Sequence, residues 1–309
     1  MKFTLRQLEI FAAVGRVESI SKATEFLALS QSATSTALSE LEKQFGSPLF
    51  DRVGKSLKLN ELGRKLLPQA MVLLDKAHEI EEIVIGKMGF GTLNIGATLT
   101  IGNYLATLIV ADFLQRHPES KVQLKVNNST VIMEQLMNFE LDLGLVEGDC
   151  AYPDLASEPW VADELVVFCP PGHRLAKIVG NVPLAELMNE SWVVREKGSG
   201  TREVLNRALE KHNAHPPIRL ELEHTEAIKR AVESGLGLGC ISRLALREAF
   251  RRGSLVPLDV PELDLRRNFH FVWHHQKHQT AGMREFVAQC RAMTMDVTRS
   301  DSILLPYIP

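Results

Sequence analysis

The sequence predicts a mixed α/β protein in three parts: a small helical head ending in a basic hairpin, one long helix, and a two-lobed α/β unit. Three observations carry this reading. Apolar residues recur at spacings of three and four through the first 45 positions, and a helix-compatible stripe runs from Glu61 to about Lys87. Beyond a glycine-containing stretch at 86–91, short apolar strands alternate with helical periods. At 309 residues the chain is about twice the size of a usual single domain. Its composition, 45% hydrophobic and 24% charged, is that of a folded globular protein rather than a disordered one.

The head is read first. Leu5, Leu8, Phe11, Ala12 and Gly15 place an apolar stripe on one helix. Ser19 or Ser21 can cap a second helix through Leu27, buried by Ala23, Phe26 and Leu27. A third helix is expected from Gln31 to Phe45, with Ala33, Ala37, Leu38, Leu41 and Phe45 inward and Gly46 as its stop. Its first turns would expose Gln31, Ser32, Thr34, Ser35 and Thr36, short polar groups able to enter a major groove and hydrogen-bond base edges and phosphates. Leu49 to Leu59 reads as two strands around a Gly-Lys turn, with Arg52, Lys55 and Lys58 on a hairpin that can grip the flanking backbone. Charge is split to match. Residues 1–65 carry 10 Lys or Arg against 7 Asp or Glu, whereas the remainder carries 25 against 31. Phosphate binding needs only such local positive potential, so a net charge of -3 does not exclude DNA.

Residues 3–65 resemble the DNA-binding head of LysR-type transcriptional regulators. The likeness rests on Ala23, Ser30-Gln31-Ser32-Ala33-Thr34-Ser35, Leu41-Glu42, Gly46, Leu49-Phe50, Arg52 and Gly63, linked elements in the family's order. It implies a winged helix-turn-helix over 1–60 and binding to double-stranded promoter DNA. Asn60 stands where the family usually has threonine, but either residue caps the next helix.

Leu62, Leu66, Leu67, Met71, Leu74, Ala77, His78, Glu81, Val84 and Ile85 trace near-heptad spacing along the long helix, interrupted only by Pro68. At 1.5 Å per residue it would extend on the order of 40 Å, too far for its own head to cover. The same helix of a second copy is the simplest partner, since a two-fold dimer offers two recognition helices to two half-sites. The family resemblance adds pairing of dimers into a tetramer, with RNA polymerase a further candidate partner.

After a linker and hinge over 61–90, the effector unit is expected at 91–309. Lobe one would take about 91–160 and 268–300, lobe two about 161–267. Strands at 92–97, 122–126 and 141–146 alternate with helices at 102–116 and 130–139. The second unit reads as strands at 164–169, 191–195 and 218–222 with helices at 201–212 and 226–234, and 268–273 returns toward the first. A cleft between open α/β lobes collects ligands beyond strand ends and at helix N-termini, where free N–H groups favour anions. Three loops meet that description: Ala97 to Asn103 with Thr98, Thr100 and Ile101; Glu196 to Arg202 with Gly198, Ser199, Gly200 and Thr201; and His224 to Glu226 with Thr225. Asn127, Asn128, Ser129 and Glu147 end the other strands of lobe one, and Glu147 would suit a protonated ligand oxygen or a partner such as Arg195. These residues form a hydroxyl-and-amide pocket without an obligatory cation, suited to a small anion. The resemblance implies a periplasmic-binding-protein-like sensor here, extending the likeness over nearly the whole chain.

Gly96 to Tyr104, Arg195 to Arg202 and Glu221 to Arg243 are similar to the CysL-like and FinR-like subgroup of the family. That likeness implies an effector of the sulfite or sulfate type and control of sulfur-assimilation or sulfite-reduction genes. A small carboxylate effector and a redox-sensing thiol stay open as alternatives. An enzyme or a cytoplasmic anion-binding protein is the remote rival, and no cofactor, catalytic group or metal site is expected. His270, His274, His275 and His278 read as a surface cluster around a strand rather than metal ligands, since no acidic ligand lies nearby. Cys150, Cys169, Cys240 and Cys290 are far apart and outside any CxxC pair. With no signal peptide and no membrane-spanning apolar run, the chain reads as a cytoplasmic protein without a membrane partner.

Overall fold

The computed structural model describes residues 2–53, 56–85, 89–148 and 152–303. The head comprises α1 (Leu5–Val17), α2 (Ile20–Leu27), α3 (Gln31–Phe45) and the antiparallel strands β1 (Phe50–Val53) and β2 (Ser56–Leu59). Each helix opens on a side-chain oxygen that accepts a free amide: Thr4 from Gln7, Ser19 from Lys22 and Ser30 from Ala33. Leu8, Phe11, Val14, Leu38, Leu41 and Leu49 meet in one core. Two expected core residues stay outside it, because Leu5 and Phe26 are exposed. On α3 the buried row runs through Thr34, Leu38 and Leu41, the i, i+4, i+7 line that faces the other helices, and Ala33 lies one position off it in solvent. Phe45, at the end of α3, is only partly covered, 36% exposed, and tilts against Phe3.

The long helix α4 (Glu61–Ile85) runs through the buried Pro68, which gives up one main-chain hydrogen bond. Its start requires a glycine: a Cβ at Gly63 would sit 2.2 Å from the Leu49 carbonyl oxygen. Leu67, Ala70, Met71 and Leu74 pack into the head, while Leu62, Leu73 and Ile80 face outward.

The remaining chain forms β3 (Thr92–Thr98), α5 (Leu99–Ile101), a π-turn over Gly102–Ala106, α6 (Thr107–Arg116), β4 (Lys121–Asn127), α7 (Ser129–Met137) and β5 (Leu143–Glu147). Then follow β6 (Leu155–Cys169), α8 (Leu184–Leu187), β7 (Trp192–Arg195), α9 (Gly200–Glu210), β8 (Ile218–Leu222) and α10 (Thr225–Glu233). The last elements are β9 (Leu238–Ser242), α11 (Arg243–Arg252), β10 (Val256–Leu258), β11 (Arg266–His274) and α12 (Ala281–Met293). The sheet order is β4-β3-β5-β11-β6-β9-β7-β8, with β10 also on β6. One strand serves both lobes: the first part of β6 pairs with β11, and its residues Leu165 to Phe168 pair with β9. Lobe one is cored by Ile95, Ile101, Phe113, Phe269 and Phe286, and lobe two by Leu165, Trp192, Val194, Leu205 and Leu238.

Lobe one also touches the head and α4. The buried Lys277 ammonium lies 2.9 Å from Asp75 on α4 and 2.8 Å from Asp142 ahead of β5. Burial alone would lower its pKa, but the two carboxylates outweigh that and raise it. Phe139 joins the head core beside these charges.

Candidate functional site

At the N-terminus of α3, Gln31 and Ser32 are exposed and Ser35 is half-buried. The Ser30 and Ser32 hydroxyls lie 3.0 Å apart, and the Gln31 amide donates to the Ser21 hydroxyl across to α2. Thr34 departs from expectation. It is fully buried, and its hydroxyl has no hydrogen-bond partner among the described residues, because it occupies the core row of α3. It therefore cannot reach a base from this conformation. On the hairpin Arg52 is exposed opposite Leu57, while Lys58 is held by Glu18. Lys55, at the expected wing tip, lies outside the described residues.

In the cleft, donors from two lobes converge on one carboxylate. Glu147, at the end of β5, accepts the Thr100 amide on Oε1 at 2.8 Å; on Oε2 it accepts the Thr201 hydroxyl at 3.1 Å and Arg267 Nη1 at 2.8 Å. Thr100 lies in the first turn of the helical run that leaves β3 and supplies a main-chain amide that a helix start leaves unsatisfied, while Thr201, in the first turn of α9, supplies its side-chain hydroxyl. Burial pushes the Glu147 carboxyl up, but Arg267, the Thr100 hydrogen bonds and Arg195 outweigh it and hold it down at about 2. It is ionised throughout the physiological range.

Two further hydrogen bonds close the lobes on each other. The Gly200 amide donates to the Ser129 hydroxyl at 3.1 Å, and the Thr130 amide donates to the Gly198 carbonyl at 3.2 Å. Gly198 has φ +85°, and a Cβ there would stand 2.7 Å from the Thr130 hydroxyl, so both its conformation and its neighbour require glycine. Asn128 caps α7 by accepting from the Val131 amide. Thr98 donates to the Leu145 carbonyl within lobe one, and Ile101 is packed in the lobe-one core, leaving only its main chain for the cleft. Ser199 is buried just ahead of α9 without capping it. Thr225 is buried at the start of α10, its hydroxyl unpartnered among the described residues.

Two expectations about this site need correction. Arg195 does not pair with Glu147; its Nε and Nη2 both bond the neighbouring Glu196 at 2.8 Å. The pocket also contains a cation. Arg267 is buried between Glu147 and Asp163, with Nη2 unpartnered among the described residues. A sequence signal for it exists: Arg267, Phe269 and Phe271 alternate on the same buried face of β11, where an arginine is out of character unless paired. Tyr104 and Glu226, which hydrogen-bond across the lobes, carry no comparable signal.

The thiols and imidazoles are engaged elsewhere. Burial pushes Cys169 up to about 11, Cys240 up to about 12 and Cys290 further still. Cys150 lies outside the described residues. His274 tilts against Phe139 and stacks on His275, and His278 Nε2 lies 3.2 Å from Glu79 on α4. Among the described residues no cluster of three or more His, Cys, Asp or Glu could hold a metal ion, and no helix is long and apolar enough to cross a membrane.

Comparison with known proteins gives this arrangement a context. Residues 5–64 match the bacterial regulatory helix-turn-helix proteins of the lysR family, and residues 88–294 match the LysR substrate binding domain. The uncharacterized HTH-type transcriptional regulator YeiE of Escherichia coli strain K12 is 42% identical over 290 residues, covering 94% of this chain and 98% of its own. CysL, an HTH-type transcriptional regulator of Bacillus subtilis strain 168, is 29% identical over 287 residues, covering 92% and 96%. Among solved structures, the CcmR regulatory domain of Synechocystis PCC6803 in complex with 2-PG superposes with a TM-score of 0.63 at 30% identity, covering 67% of this chain and 99% of that one.

Proposed function

From the premise that this chain belongs to the LysR family and is a ligand-responsive DNA-binding transcription regulator, not an enzyme, we propose that its effector is a small sulfur oxyanion, sulfite first. The observation that carries this reading is the buried Arg267 guanidinium of the cleft: Glu147 and Asp163 hold its Nη1 and Nε, and its Nη2 has no partner among the described residues. A buried guanidinium nitrogen still free to donate suits one oxygen of a compact oxyanion. The ionised Glu147, bonded to the same guanidinium, supports a choice among anions: it repels a dianion such as sulfate, but accepts a hydrogen bond from an oxyanion that keeps a proton. Near neutral pH sulfite retains that proton in a substantial fraction, and sulfate does not. The strings Gly96 to Tyr104 and Arg195 to Arg202 add the CysL-like subgroup reading and control of sulfur-assimilation or sulfite-reduction genes.

A second reading, a small phosphorylated or carboxylate effector, draws on the CcmR domain in complex with 2-PG. A redox reading has less support, because the three described thiols are buried and pushed away from the thiolate. On the DNA side, Gln31, Ser32 and Ser35 are our candidates for base and phosphate contacts and Arg52 for the flanking backbone. The outward face of α4 at Leu62, Leu73 and Ile80 is our dimer surface, with a tetramer as the working assembly in the cytoplasm. Calorimetry on the full-length protein with sulfite, sulfate, thiosulfate, acetate and 2-PG tests the effector. Heat with sulfite and little with sulfate supports the proposal; heat with 2-PG alone transfers it to the second reading, and none with either sulfur oxyanion removes it.

A further inference from the structure

Residues 299–303 have no part in the cleft described above, yet they lie across the crossing between the lobes. Arg299 forms a bridge beside Ala162 on β6, its guanidinium pairs with Glu164 at 3.2 Å, and the Ile303 side chain is buried in the lobe-one core. From lobe two, Arg247 on α11 donates to the Ile303 carbonyl at 3.1 Å. The segment is thus fastened to both lobes and to the strand they share. Between these anchors stands Ser300, 1% exposed, whose hydroxyl donates to Asp163 Oδ1 at 2.6 Å.

Asp163 connects that segment to the cleft. Its Oδ1 also accepts the Ser242 hydroxyl at 2.7 Å, and its Oδ2 accepts Arg267 Nε at 2.7 Å. Arg267 then reaches Glu147 and Thr201 through Nη1. A guanidinium is planar, so fixing Nε fixes the plane in which both Nη groups lie. Asp163 is itself a rotatable carboxylate, and the two hydroxyls on Oδ1 set its rotation. Ser242 belongs to lobe two and Ser300 to the C-terminal segment, so a change in either anchor reaches the cleft through one carboxylate.

We propose that the C-terminal segment 299–303 is a strap that positions the effector-binding guanidinium, with Ser300 and Asp163 as positioning residues for Arg267. Its consequence for ligand affinity rests on reading the cleft as the anion site, whereas its geometry does not. Removing the Ser300 hydroxyl leaves Asp163 with two partners instead of three and frees the plane of Arg267 to rock. The cost of one such hydrogen bond corresponds to about a 2- to 10-fold loss in anion affinity.

The test therefore has a ligand-free arm. Full-length wild type, Ser300→Ala, Ser300→Thr and Arg267→Lys are followed by hydrogen–deuterium exchange without any anion and then titrated calorimetrically with sulfite. Ser300→Ala is expected to speed exchange in peptides carrying Thr201 and Arg267 and to weaken sulfite about 2- to 10-fold. Ser300→Thr, which keeps the hydroxyl, is expected to restore both. Exchange that quickens only within the strap overturns the proposal, and so does unchanged sulfite affinity in a wild type that binds sulfite. Should the wild type bind no sulfite while Ser300→Ala still loosens the cleft peptides, the anion reading falls and the positioning role stands.

Discussion

Replacing Arg267 by methionine removes the cation on which two buried carboxylates depend. Glu147 and Asp163 are both almost fully buried, and Arg267 lies 2.8 Å from one and 2.7 Å from the other. Methionine fills comparable volume but leaves both charges without their counter-ion, a loss of about 3–5 kcal/mol at neutral pH. For a folding unit of this size that lowers the melting temperature by roughly 6–20 °C. The loss also depends on pH. In the wild type Glu147 is held at about 2, below its ordinary 4.5, so its contribution is complete above 4.5 and disappears only as pH falls from there toward 2. Between pH 7.5 and 5 this group leaves wild-type stability unchanged. In Arg267→Met burial acts on Glu147 without the guanidinium and raises its pKa, so the variant takes up a proton and regains stability as pH falls across the same window. Scanning calorimetry of both proteins at pH 7.5 and 5 should show the gap narrowing. An equal gap at the two pH values, or none at either, would refute the view that Arg267 is the counter-ion of the cleft.

Four other outcomes follow from the structure. Arg52→Ala should weaken binding to all DNA sequences and reduce the salt slope by about 1, measured by fluorescence anisotropy across a salt series; Ser35→Ala should act mainly on the preferred operator. Thr34→Val should leave operator affinity unchanged and hold or raise stability by up to about 1 kcal/mol, read by urea denaturation, because the lost hydroxyl is buried and unpartnered. Gly198→Ala forces a side chain into the left-handed region and against Thr130, costing about 1–2 kcal/mol, and should appear as weaker effector binding with DNA affinity kept in the anion-free state.

The head is legible in the sequence because its signals are local. Ser30, Gly46 and the spacing of Leu38 and Leu41 act within a few residues of themselves, and they place α3 within the expected bounds. Errors arise where hydrophobicity and helical phase disagree. Ala33 is apolar and therefore reads as buried, but the row completed by Leu38 and Leu41 passes through Thr34, and the hydroxyl yields to the geometry. Phe26 errs in the same direction as Ala33, an aromatic on the solvent side of α2. In the α/β unit most strands fall within one or two residues of their expected limits, since alternation and flanking glycines mark them. The length of β6 is not legible, because Ser157, Glu158 and Pro159 near its start look like a break between units. Those residues continue the strand because β11 supplies their hydrogen bonds from more than a hundred positions away.

The same distance explains why the donor loops of the cleft can be foreseen and its ionic partners cannot. Thr100 and Thr201 follow from where helices begin, a local property. Arg267 lies 120 residues from Glu147 and 104 from Asp163, and Lys277 is as far from Asp75 as two thirds of the chain. Local pattern supplies Glu147 with many equally plausible cations, and Arg195, which lies nearer in sequence, is instead taken by its immediate neighbour Glu196. Both buried ion networks sit at junctions: Arg267 where the lobes meet, Lys277 where lobe one meets α4. An apolar contact of the same volume would stabilise these junctions at least as well, since desolvating the charges offsets most of their attraction. It would tolerate sliding, however, whereas an unpaired buried charge costs several kcal/mol and so penalises any placement but the paired one. The charges therefore fix how the parts sit on one another, while the apolar clusters within each part hold it folded.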